Sequence, residues 1–314
     1  MFLNEIISNE KYVNRLIEER GVAATQFKPQ VKQILQFCQV MASSIDNGGA
    51  LTLKIPETIT RKFEFVEKLV IEVTIEDGFG LDYNGGGSVN VTKVGSFQHN
   101  KLDEVIIKIS GYAYDGVLYD RSILTSLYHE LNHLYDFWKA KTENHTMSRA
   151  VKTIQKTGMR LSTGSVTSDP TINKLLKNIL YRLFSETELN AVAASVYGDL
   201  EGLKSQRSNY KDDIVKTKAY YIYNQFKTNL EYVFNHFMLY NNEIPNLRAL
   251  LNSCDISLSP YGTSDIAYLK DFVRKCKFLL KRLYTAIGKV ASKYYDDDEF
   301  QHPNHKISTN YFKQ

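Results

Sequence analysis

Cysteine is scarce in this 314-residue chain: Cys38, Cys254 and Cys276 lie far apart and form no CxxC. That excludes a zinc knuckle and a disulfide framework and leaves three reduced, packed thiols. Long apolar runs are absent as well; no stretch of about 18 apolar residues occurs, so no membrane span is expected. The N-terminal "MFLNEIISNEKYVNRLIEER" places Glu5 and Glu10 where a signal peptide needs unbroken apolar sequence, so a cytoplasmic or particle-associated protein is expected. Strong charge of either sign is missing too. A net charge of +4, with Lys and Arg scattered, argues against a nucleic-acid partner. No internal repeat is visible. What is present, 43% hydrophobic and 24% charged residues, is the balance of a folded chain with a sizeable core.

Residues 1–45 read as two helical pieces broken near Gly21 and Pro29, the second carrying Val31, Ile34, Leu35, Cys38 and Met41 at helical spacing. Strands follow. "KLVIEVTIE" alternates Leu69, Ile71, Val73 and Ile75, and "SVNVTKV" and "DEVIIKISGYAY" read as two more. Gly78 and Gly80 in the connecting "GFGLDYNGGG" do not make a dinucleotide fingerprint, because Tyr83 stands where the third glycine belongs. From Asp120 onward the pattern is helical, apart from loops near 142–169 and 252–264. Tyr223, Phe226, Leu230, Val233, Phe237 and Tyr240 form a core stripe on one helix. Lys270, Arg274, Lys277 and Lys281 share a solvated face on the last one.

The stretch "YHELNHLYDFW" carries the chemistry. His129 and His133 lie one helical turn apart on the same face, so both can aim a ring nitrogen at one ion. Glu130 then sits beside the metal without ligating it, placed to take a proton from a water that the metal has acidified. Random placement of these residue types gives under about 0.02 expected matches to HExxH. Placed at about 100° per residue, Leu124, Leu127, Leu131, Leu134 and Trp138 cluster on one side and the two histidines fall opposite. Histidines buried within the apolar stripe therefore do not explain the pattern.

A third ligand must come from elsewhere. The elongated form of the motif needs Gly at 136 and His at 139, where this chain has Asp136 and Lys139. Downstream, "FSETELNAVAASVYGDLEG" offers Glu186 and Glu188. Glu188, Ala191, Ser195, Gly198 and Gly202 form a stripe of small residues that allows close helix approach, whereas Glu186 borders Leu189, Val196 and Leu200. Helical phase favours Glu188 and leaves Glu186 as the alternative.

With strands, a motif helix at "HELNH" and a later helix at "ETELNA", residues 25–200 resemble the zincin metallopeptidases, in particular the gluzincin branch with a glutamate third ligand. Several such families carry Ala three residues after that ligand, as Glu188 and Ala191 do. The resemblance implies an α+β fold: a zincin-like core over residues 1–200, a helical region over 201–296 packed on it, and a polar tail over 297–314. It implies zinc held by His129, His133 and Glu188, with Glu130 as general base. It further implies a polypeptide substrate added to the strand before the motif helix, along residues 105–110. His236, Tyr220, Tyr221 and Tyr223 are the candidate oxyanion donors. One departure stands out: where some gluzincins have Asp four residues after the ligand, this chain has Val192, so another group must orient His129.

The leading expectation is thus zinc-dependent peptide hydrolysis. The alternative is a structural or assembly component, such as a bacteriophage virion or tail protein in a large protein assembly, that keeps the zincin-like fold with weak or no activity. A toxin-type protease acting on one host protein is a third reading.

Overall fold

The computed structural model describes residues 26–45, 48–78, 87–93, 101–142, 165–203, 210–254, 256, 258 and 263–297. The expected first helical piece, most of the Gly-rich connection, the stretch 143–164 and the tail from 298 lie outside the described residues.

The chain is mixed α and β, and mostly helical. Helix α1 (Lys28–Ala42) opens at Pro29, whose fixed φ suits a first turn, and buries Val31, Ile34, Cys38 and Ala42. Strands β1 (Ala50–Lys54) and β2 (Val66–Asp77) flank a single turn of helix, α2 (Glu57–Thr60). Next come β3 (Gly87–Lys93), β4 (Leu102–Tyr114) and the short β5 (Val117–Leu118). The sheet order is β1-β2-β4-β3, with β5 paired to the end of β4. The β2–β4 pair is parallel, while β1 on β2, and β3 and β5 on β4, are antiparallel. Alternation is as expected: Leu69, Ile71, Val73 and Ile75 of β2, and Val105, Ile107 and Ile109 of β4, are buried. The β4–β5 turn places Asp115 and Gly116 at positive φ, 50° and 72°, the demand of a two-residue hairpin and the reason for the Asp-Gly pair.

The remaining elements are helical: α3 (Asp120–Thr142), α4 (Pro170–Asn178) continued by a π-turn (Ile179–Leu183), α5 (Glu186–Gly202), α6 (Tyr210–Val215), α7 (Lys218–Leu239), α8 (Ile244–Ser253) and α9 (Asp265–Asp297). No helix among the described residues is long and apolar enough to cross a membrane.

Contacts divide the chain into two compact units that interleave along the sequence. One comprises Met1–Thr142, Ala191–Ala219 and Ala286–Gln314; the other comprises Glu143–Asn190 and Tyr220–Thr285. In the first, α3 lies against β4 and β3. Gly111 of β4 allows this approach, since a Cβ there would stand 2.4 Å from Ile123 Cγ1. An aromatic group of Phe27, Phe63, Phe65, Tyr135 and Trp138 closes one end of the core. In the second unit, Phe226, Leu230, Val233 and Phe237 form the buried stripe of α7, while Tyr240 at its end is exposed. All three cysteines are free and buried, and burial pushes the Cys38 thiol up to about 12, which keeps it unreactive.

Candidate metal centre

Helix α3 begins where β5 ends. Ser122 Oγ donates to the Tyr119 carbonyl and accepts from the Tyr112 amide, which ties the first turn of α3 to β4. Leu124, Leu127, Leu131 and Leu134 are buried, and His129 and His133 are part-buried on the other side, as helical phase requires. Their Nε2 atoms lie 3.2 Å apart, with the rings nearly perpendicular at 81°.

Glu188 lies in the first turn of α5, where its amide is capped by Ser185 Oγ. This helix starts in the second unit and continues into the first from Ala191, so one unbroken helix carries the glutamate and packs on α3. The packing is unusually close. A Cβ at Gly198 would stand 2.4 Å from the Leu124 carbonyl oxygen, and one at Gly202 would stand 2.6 Å from Arg121 Cβ. Two members of the stripe of small residues read from the sequence, Gly198 and Gly202, therefore lie in the contact surface. Gly202 faces Arg121 and Gly198 faces Leu124, so the two helices run antiparallel and earlier residues of α5 fall opposite later residues of α3.

The outcome is that one ligand atom from each of His129, His133 and Glu188 lies within 4.8 Å of the other two. The side chain of Glu186, the alternative ligand, lies outside the described residues. Two nitrogens and one carboxylate oxygen are the donor set of a zinc site that leaves a fourth position open. Two ligands on a tetrahedral zinc ion stand about 3.3 Å apart given its bond lengths, and the histidine nitrogens already have that spacing. The three residues together could hold a metal ion.

The electrostatics suit ligation. Burial lowers His133 to about 4, so its ring is neutral at neutral pH, the form that ligates a metal. Burial raises the Glu188 carboxyl above the usual range, opposed by the nearby Arg182 charge. Glu130, directly after His129, is 4% exposed. Val192, at the position of the missing Asp, is buried, and its side chain offers no hydrogen bond to an imidazole. On the histidine face of α3, Asn132 Nδ2 donates to Asp136 Oδ2 at 3.2 Å, and both residues are buried.

One expectation is corrected. Residues 105–110 are not an open edge, because β4 is paired to β2 along this whole stretch and to β3 on the other side from Val105 to Ile109. Among the described residues the strand with an unpaired side next to β4 is β3. The parallel β2–β4 pairing moved the inner position to β4, which strand order along the sequence does not reveal. Of the candidate oxyanion donors, His236 pairs through Nε2 with Glu243 Oε2 at 2.8 Å, and Glu243 also accepts from the Ser168 amide and hydroxyl. Tyr221 is 56% exposed and its hydroxyl accepts from Gln225. Tyr223 stacks between Tyr220 and Tyr284.

A buried polar network beside the glycine contacts escaped sequence reading. Asp199, 1% exposed, accepts from Arg121 Nε at 2.8 Å, Thr125 Oγ1 at 3.0 Å and the Lys218 amide at 2.8 Å. Arg121 also donates to the Lys216 carbonyl. The available signal was an aspartate in the otherwise small and apolar "AVAASVYGDLEG".

No protein-family model, curated protein or solved structure matches this chain.

Proposed function

We propose that this chain is a zinc-dependent metallopeptidase of the gluzincin type, with His129, His133 and Glu188 as metal ligands and Glu130 as general base. The observation that carries the reading is the convergence of three ligand atoms within 4.8 Å from two helices far apart in sequence. The layout of residues 28–202 supports it: a mixed sheet with an antiparallel outer strand, then the motif helix after the inner strand and its short hairpin partner β5, then the glutamate helix. When bound, zinc would polarise a peptide carbonyl and acidify a water. Glu130 would take the proton from that water and deliver it to the leaving amine. Neutral His133 and part-buried Glu188 would hold the ion together with His129. The side of β3 that has no partner strand among the described residues is where an extended polypeptide would add as a further strand.

The test is metal analysis of the purified protein combined with digestion of a peptide library by wild type and Glu130→Gln at equal zinc occupancy. One zinc per chain and cleavage by wild type alone support the proposal. A folded protein that takes up no zinc overturns it.

A second reading is supported by one observation. Val192 is buried where a carboxylate would orient a histidine, which fits a metal site kept for stability in a structural or assembly protein, such as a virion component. That reading expects zinc without peptide cleavage, and a drop in thermal stability on chelation.

A further inference from the structure

We propose that Asp199, held by Arg121 and Thr125, is a positioning residue that sets the axial register of α5 against α3 and so delivers Glu188 to His129 and His133. The inference rests on the metal-site reading and adds residues remote from the ion.

The glycine contacts at 198 and 202 permit close approach but give no direction along the helix axes. Ala191, Ala194, Ser195 and Gly198 make a low-relief surface on which one helix can slide past another. A slip of one residue moves a helix by about 1.5 Å and turns it by about 100°. A metal ligand must be placed within about 0.5 Å. Something directional has to fix the register, and the Asp199 carboxylate is placed to do so. Its Oδ1 accepts from Arg121 Nε and shares the single Thr125 hydroxyl proton, which also reaches the Arg121 carbonyl at 2.7 Å, so two groups one turn apart on α3 meet it, while Oδ2 accepts from the Lys218 amide.

Phase links this clamp to the ligands. Thr125, His129 and His133 follow at intervals of four on α3, so they lie on one ridge. Glu188 precedes Asp199 by eleven residues, about three turns, and returns to nearly the same face about 16 Å away. Because the helices are antiparallel, moving from the clamp toward the ligands on α3 is moving from Asp199 toward Glu188 on α5. Stability alone gives weak reason for such a group. A buried ion pair is often no better than apolar packing, and its best attested use is to fix a register.

The test is zinc affinity, measured by competition with a chelator, and the visible spectrum of the cobalt(II)-loaded protein. Wild type is compared with Asp199→Asn, Thr125→Val and the control Ile71→Ala, which empties a fully buried site in β2. Asp199→Asn is expected to lose about 10-fold to 100-fold in zinc affinity and to change the cobalt bands. Thr125→Val changes both in the same direction by less and carries the test alone where Asp199→Asn fails to fold. Ile71→Ala lowers the stability of the metal-free protein yet keeps wild-type affinity and bands. Wild-type affinity and bands in a folded Asp199→Asn, or equal losses in Ile71→Ala, overturn the positioning role while the metal reading stands. Failure of wild type to bind zinc overturns both.

Discussion

Gly198 of α5 lies so close to Leu124 of α3 that a Cβ on it would stand 2.4 Å from the Leu124 carbonyl oxygen. No side chain fits there without moving a helix backbone. This contact links the packing of the core to the candidate metal site, because α5 carries Glu188 and α3 carries both histidines.

Gly198→Ala is therefore expected to destabilise the protein by about 1 to 3 kcal/mol, the usual cost of overpacking. It should also weaken zinc binding, since the relief available is separation of the two helices. Denaturant unfolding and zinc titration check the two effects. An unchanged zinc affinity in a destabilised variant would mean that α5 adjusts without displacing Glu188.

His133→Ala removes a nitrogen from the three-ligand set, and its purified form should carry almost no zinc. Glu188→Ala should weaken zinc binding by at least about 10-fold, whereas Glu186→Ala should change it little. The reverse order would make Glu186 the ligand and set aside the small-residue reasoning. Competition titration of the two variants separates these outcomes.

Glu130→Gln should retain zinc and fold while peptide hydrolysis falls by about 10² to 10⁴-fold, the range for a positioned acid or base. Equal cleavage by variant and wild type would remove Glu130 from the mechanism.

The metal-free protein should lose stability as the pH falls from 6.5, the ordinary histidine value, to about 4, where burial has placed His133. In that interval the unfolded chain takes a proton at this residue and the folded chain does not, so the contribution is present above 6.5 and lost on acidification. Its size is up to about 3 kcal/mol. Glu188, whose carboxyl burial raises despite Arg182, acts with the opposite sign just above its ordinary pKa. Denaturant unfolding of chelator-treated wild type and His133→Leu across this range should give the variant a flatter pH dependence. Parallel curves would mean that His133 is accessible to protons in the folded state.

The sequence by itself determined the elements and the chemistry on each. Period-two alternation in β2 and β4 placed Ile71, Val73, Val105 and Ile107 in the core, and helical phase set His129 and His133 opposite the leucine stripe of α3. Both patterns are local, because they follow from the repeat of a strand or a helix. The small residues before Gly202 marked a close helix contact and favoured Glu188 on the same ground. Tertiary structure alone decided the rest. Which strand is inner depends on the parallel pairing of β2 with β4, a long-range choice that turned residues 105–110 from an expected edge into the middle of the sheet. The meeting of Asp199 with Arg121, 78 residues away in the chain, is likewise invisible to periodicity, because a buried carboxylate and a buried guanidinium make sense only once each supplies the other's hydrogen bonds.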